Sequence, residues 1–143
     1  MPQIVYIPGV WDLLHVGHVR ILKTAKKLGN QLIVGIPSDG IVLQDKGELP
    51  VIPLHERMEL LQSLACVDIV SPYFALEFLS DLKVYEPDVL AVGSTWGNEQ
   101  RHWEAESWVQ LNKKKFVKIP YTEGISTTAI KERIRCQEPS PKP

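Results

Sequence analysis

The hydrophobic positions of this chain fall into short apolar runs separated by stretches of helical spacing. Ile4–Ile7, Gln31–Ile36, Val67–Ser71, Val89–Val92 and Phe116–Ile119 are apolar or β-branched runs bounded by Gly, Pro, Asn or Asp, the pattern of buried strands. Between them, Val19–Leu28, Leu54–Leu64, Ala75–Val84, Glu99–Leu111 and Ser126–Ile134 have the spacing of helices. In the first of these helices, Val19, Ile21, Leu22, Ala25 and Leu28 lie broadly on one side. In Leu54–Leu64 the apolar face is Met58, Leu60, Leu61 and Leu64, with Glu56, Arg57 and Glu59 outside it. Strands alternating with helices predict βαβ units, because parallel neighbours need a crossover connection. The expected fold is α/β: a Rossmann-like, doubly wound sheet of about five parallel strands with helices on both faces.

Composition narrows the picture only slightly. With 143 residues the chain is long enough for one domain with a real core, expected over 1–136. The remaining segment, 137–143, is Pro-rich and reads as a disordered tail. The chain is 44% hydrophobic and 23% charged, with a formal net charge of −1. Neither nucleic acid nor an anionic membrane is an expected partner, so a phosphate site has to be a local concentration of donors. Lys113-Lys114-Lys115 reads as a solvated turn. The two cysteines, Cys66 and Cys136, give no disulfide or zinc spacing. No apolar stretch reaches membrane-spanning length and the N-terminus has no signal-peptide pattern, so a cytoplasmic location is expected.

The chemistry concentrates where the first strand hands over to a helix, in G-V-W-D-L-L-H-V-G-H-V, residues 9–19. His15 and His18 flank Gly17 at a helix N-terminus, where unpaired N–H groups and the helix dipole favour an anion. Two other segments have the same character. Lys46-Gly47 lies in the polar stretch Gln44–Pro50, and Gly124-Ile125-Ser126-Thr127-Thr128 precedes the last helix. Its hydroxyls can cap that helix or donate to phosphate oxygens. No Cys or acidic cluster completes a shell around the histidines, so no protein-held metal is expected. The fingerprints of dinucleotide oxidoreductases, P-loop NTPases, α/β-hydrolases and zinc proteases are absent from the sequence.

G-V-W-D-L-L-H-V-G-H-V resembles the first signature of the cytidylyltransferase-like nucleotidyltransferases. T-E-G-I-S-T-T, residues 122–128, is similar to the second signature of glycerol-3-phosphate cytidylyltransferases. K-G-E-L-P-V-I-P-L-H-E-R-M, residues 46–58, looks like the matching parts of bacterial heptose-1-phosphate adenylyltransferases and archaeal FAD synthetases. The resemblance runs from about residue 3 to 135 and implies transfer of a nucleotidyl group from CTP or ATP to a phosphorylated small molecule. The acceptor phosphate would attack the α-phosphorus in line, releasing pyrophosphate. It further implies that His15 and His18 contact the triphosphate, that Lys46 bridges the α-phosphate and acceptor phosphate, and that Arg57 helps to position phosphates. Ser126, Thr127 and Thr128 would hold the β- and γ-phosphates, with Mg²⁺ on the leaving group. Gly9, Val10, Trp11, Asp12 and Gly17 would shape the first loop, and Gly93, Gly124 and Ile125 complete the implied nucleotide-binding set. A homodimer is the implied assembly.

Three positions depart from the pattern. Tyr121 stands where the glycerol-3-phosphate enzymes have arginine, and tyrosine has neither its charge nor its fork geometry. Val92-Gly93-Ser94-Thr95-Trp96 lacks the acidic residue of the family, with Thr95 in its place, and Trp11 replaces phenylalanine. Ser94, Thr95, Trp96 and Tyr121 are therefore the expected acceptor or base pocket. The reading preferred from sequence is a cytidylyltransferase acting on a glycerol-3-phosphate-like polyol or sugar phosphate. The alternatives are an adenylyltransferase using ATP, with heptose 1-phosphate or FMN as acceptor, and a non-catalytic nucleotide-binding regulatory protein.

Overall fold

Strand β1 (Ile4–Pro8) is first in the chain and central in the sheet. The computed structural model describes residues 3–97 and 99–137. From β1 the chain runs through α1 (Val16–Lys26) to β2 (Gln31–Pro37), then through α2 (Asp39–Lys46) and α3 (Leu54–Gln62) to β3 (Ile69–Tyr73). It returns through α4 (Leu79–Tyr85) to β4 (Val89–Gly93) on the other side of β1, and continues through α5 (Gln100–Leu111), β5 (Lys115–Ile119) and α6 (Thr127–Cys136). The strand order is β3-β2-β1-β4-β5, with every neighbouring pair parallel. The chain thus leaves β1 to one side and β4 to the other. That reversal opens a crevice beyond the carboxyl ends of these two strands.

Register explains why the strands are apolar throughout. Val5 is level with Leu32 and Val89, and Tyr6 with Ile33 and Leu90. Val5, Leu32 and Val89 face one core with Leu22 and Ala25 of α1 and Leu61 of α3. Tyr6, Ile33 and Leu90 face the opposite core with Leu82 of α4 and Val109 of α5. Burial on both faces demands side chains without a polar alternation.

Four local expectations are corrected by the structure. Residues 39–46 form α2, so Lys46 is the last residue of a helix and not part of a loop. Helix α4 begins at Leu79 rather than Ala75: the chain bends at residues 75–76, and the Glu77 carboxylate accepts the Leu79 N–H where the helix starts. Strand β3 runs two residues later than expected and includes Pro72, which an edge strand tolerates. In α3, Arg57 lies inside the protein with no exposed surface, while Leu60 is exposed. The tail expected over 137–143 lies, from Glu138 onward, outside the described residues.

Candidate active site

Helix α1 opens with an unusual cap. His15 occupies the N-cap position and His18 the third helical position, and each imidazole Nδ1 accepts the other residue's backbone N–H at 3.3 Å. The rings stack with centroids 3.7 Å apart and planes 17° from parallel. A ring nitrogen that accepts a hydrogen bond carries no proton, so in both neutral imidazoles the proton sits on Nε2. Burial lowers the pKa of His18 from 6.5 to about 4, helped by His15 and opposed by Asp12, and burial also lowers that of His15. At neutral pH the pair is two N–H donors on an uncharged frame, added to the free N–H groups of the helix end.

The loop before this cap is fixed from several sides. Trp11 has a positive φ of 58° and Leu13 one of 50°, conformations that non-glycine residues adopt only when their surroundings enforce them. The Trp11 Nε1–H donates to the Gly35 carbonyl at 3.0 Å and its ring packs edge-on against His18. Asp12 is buried, and its carboxylate accepts the N–H groups of Leu13 (3.0 Å), Val51 (2.8 Å) and Ile52 (2.9 Å). The Thr127 hydroxyl donates to the Asp12 carbonyl at 2.8 Å, tying α6 to the same loop. Gly17 lies against the His15 ring, where a Cβ would stand 2.9 Å from Cε1.

These elements enclose a cavity of about 680 Å³ at the β1–β4 crevice. The first loop from Gly9 to Asp12, His15, Gly17 and His18 form one wall. Gly124, Ile125 and Ser126–Thr128, at the N-terminus of α6, line it beside them. Ser126 caps α6 by accepting the Ala129 N–H at 3.0 Å, which leaves its own hydroxyl proton free. Thr127 differs, since its proton is already given to Asp12. A second cavity of about 450 Å³ lies on the other side of Lys46, Thr95 and Tyr121, which line both. Tyr121 and Thr95 meet through their hydroxyls at 3.3 Å.

The structure gathers most of the sequence-derived candidates here, with exceptions. Arg57 lines neither cavity, against the expectation that it positions phosphates. Its Nε donates to Ile52 O (2.9 Å), Nη1 to Val10 O (2.9 Å), and Nη2 to Pro37 O (3.0 Å) and the Asp39 carboxylate (2.7 Å). It is an internal clamp on the loops around the site. Ser94 is exposed and lines neither cavity. Trp96 lines only the second, and the His102 ring stacks on it at 3.9 Å, so that face is not open to a base. Its buried Nε1–H has no partner among the described residues. Sequence reasoning missed Glu48 and Lys131 at the first cavity and Asp45, Arg101 and His102 at the second. Lys131 was legible, one helical turn after Thr127. Nothing in the sequence near Arg101 pointed to the site.

Comparison with known proteins identifies the family. The family model described as cytidylyltransferase-like matches residues 6–133. The chain is 39% identical over 135 residues to the bifunctional protein HldE of Nitratiruptor, and 35% identical over 137 residues to that of Yersinia enterocolitica. Each match covers 93% of this chain but only 28% of the relative's length. Among solved structures, the lipopolysaccharide core biosynthesis protein of Thermoplasma volcanium superposes with a TM-score of 0.73 at 28% identity. That match covers 86% of this chain and all of the other. Pantoate-β-alanine ligase of Francisella tularensis, at 17% identity and a TM-score of 0.60 over 94% of this chain and 69% of its own, shares the fold. No helix among the described residues is long and apolar enough to cross a membrane. The chain belongs to the cytidylyltransferase-like family and is an enzyme of the nucleotidyltransferase type.

Proposed function

We propose that this enzyme transfers an adenylyl group from ATP to a sugar phosphate, releasing pyrophosphate. The observation that carries the reading is that two helix N-termini line one cavity side by side. The N-terminus of α1 carries the neutral histidine pair, and that of α6 carries Ser126–Thr128. Phosphoryl-type transfer needs positioning and donors where charge develops, with little acid–base chemistry. Nε2–H of His15 and His18, the backbone of α6 and the hydroxyls of Ser126 and Thr128 hold the triphosphate. Lys46, between the two cavities, draws the acceptor phosphate oxygen toward the α-phosphorus while pyrophosphate leaves. The sugar occupies the second cavity.

ATP displaces CTP, the nucleotide preferred from sequence, for two reasons. The HldE relatives cover nearly the whole chain, and residues 46–58 resemble heptose-1-phosphate adenylyltransferases. The Thermoplasma protein's description as a lipopolysaccharide core biosynthesis protein supports a sugar acceptor. The T-E-G-I-S-T-T match keeps CTP as the second reading. The described residues offer no cluster of three or more metal ligands. Both Asp12 oxygens are occupied. In this reading Mg²⁺ enters with the nucleotide as part of the substrate. A homodimer remains part of the proposal.

The test is pyrophosphate release with ATP or CTP and a panel of sugar 1-phosphates, glycerol 3-phosphate and FMN, beside melting with each nucleotide. A ligand at a hundred times its Kd stabilises by about 2.7 kcal/mol. Turnover and a melting shift with ATP and a sugar 1-phosphate are expected. Turnover with CTP alone overturns the nucleotide assignment, and turnover with neither overturns the reading.

A further inference from the structure

We propose that Arg101 is a positioning residue for Lys46, acting through Asp45; the proposal rests on the role given to Lys46 above. Helix α2 has eight residues and a single buried side chain, Val42, so neither length nor packing secures its final turn. Lysine is a compact charge on a flexible stem and does not fix its own position. Lys46 is exposed and, among the described residues, enters no ion pair. Its neighbours do. Asp45 pairs with Arg101 through both carboxylate oxygens, Oδ1 to Nη1 at 3.1 Å and Oδ2 to Nη2 at 3.2 Å. Beyond Lys46, Glu48 meets Lys131 of α6 at 3.5 Å. The end of α2 is therefore strapped to α5 on one side and α6 on the other, with the lysine between the straps.

The Arg101 strap is the firm one. Its side chains are 22% and 23% exposed, against 25% and 69% for Lys131 and Glu48, so it is the less screened of the two. Arg101 also projects from the first turn of α5, which is anchored. His102 Nδ1 accepts the Gly97 N–H at 3.0 Å, Trp103 Nε1–H donates to the Gly97 carbonyl at 3.1 Å, and Glu99 holds Nη2 at 2.8 Å. The Trp96–His102 stack sets that turn against the core. Arg101 and Asp45 both line the second cavity, so the pair lies where the acceptor sugar is placed, and α1 and α6 hold the triphosphate independently.

The test compares Arg101→Leu, Arg101→Lys, Asp45→Ala and the Arg101→Leu/Asp45→Ala double variant, with Lys26→Ala as a control that breaks a distant ion pair with Asp68. Turnover and the KM for ATP are measured beside amide hydrogen exchange over residues 43–49. The expected result is a kcat lowered tenfold or more in each Leu and Ala single variant, with the KM for ATP within twofold of wild type. Exchange over 43–49 rises about tenfold, Arg101→Lys recovers part of both effects, and the double variant is no worse than either single. The control changes neither. Additive losses in the double variant, or unchanged exchange over 43–49, overturn the proposal. A wild-type protein inactive with every nucleotide sinks the transfer reading instead, while the exchange measurement still decides whether Arg101 holds the end of α2.

Discussion

The ring of Tyr121 occupies the space that a side chain on residue 93 would need: a Cβ on Gly93 would stand 2.1 Å from the Tyr121 hydroxyl oxygen. Gly93 ends β4 at the crevice, and Tyr121 lines both cavities, so this contact sets the boundary between them. Gly93→Ala is expected to drive the half-exposed tyrosine out of place at small cost to folding, and to lower kcat/KM about tenfold. In a Tyr121→Ala background the same change should cost nothing, since the clash is gone. A double-mutant cycle measures this directly, and equal losses in both backgrounds would show that the alanine acts elsewhere.

His18→Ala removes one Nε2–H donor from the triphosphate wall and one half of the reciprocal cap. Loss of a single donor to developing charge typically costs about a hundredfold or more in turnover. The expected outcome is that loss with a modest fall in melting temperature, because the N–H of His15 stays close to water. Steady-state kinetics and a melting curve on the same preparation check it. A variant as fast as wild type would remove His18 from the site.

The histidine pair also predicts the sign of a pH effect. Folding lowers the pKa of His18 from 6.5 to about 4 through burial, and burial lowers that of His15 as well. The unfolded chain therefore takes up these protons first as pH falls. The stability contributed by the neutral pair is fully present above pH 6.5 and fades as pH drops toward 4. Protonation of Nδ1 also destroys both cap hydrogen bonds. Denaturant titrations across this window should show a shallower pH dependence in His18→Gln than in wild type. An identical dependence would mean that His18 does not titrate as its burial requires.

Asp12 shows what a sequence motif can hide. Its position in the first signature suggested a loop-shaping role, and the structure gives that role a mechanism: one carboxylate satisfies three backbone N–H groups, two of them about forty residues away. Asp12→Ala leaves those donors without a partner and is expected to cost about 3 kcal/mol. Urea unfolding measures the loss, and Asp12→Asn, which keeps one acceptor oxygen, should recover part of it.

Legibility followed burial and local geometry. The strands could be read because parallel strands covered on both faces must be apolar throughout, and the histidine pair because its cap is built within four residues. Helix α2 was missed because Asp39–Lys46 buries only Val42, too little to set a helical period. Its punctuation was present, with Ser38 accepting the Ile41 N–H and Gly47 closing the helix at a φ of 80°. The Arg101–Asp45 pair joins residues 56 positions apart, and no local pattern encodes such a partner.

Arg57 is the sharpest case, because its sequence setting misleads. Between glutamates on a helix it reads as a surface cation, yet its guanidinium is buried and reaches the carbonyls of Val10, Pro37 and Ile52. Its carboxylate partner, Asp39, keeps 37% of its side chain exposed and so retains water if the arginine is lost. The penalty of Arg57→Met then comes mainly from unpaired carbonyls and lost loop connections, about 3 kcal/mol, the lower end of what breaking a buried pair costs. Because Val10 belongs to the first loop and Ile52 to the segment held by Asp12, this loss should loosen the site as a unit. Melting temperature and turnover are expected to fall together in Arg57→Met, whereas His18→Ala lowers turnover far more than melting. Measuring both in parallel separates the clamp from the triphosphate wall. A stable but inactive Arg57→Met protein would mean that the arginine acts on the phosphates after all.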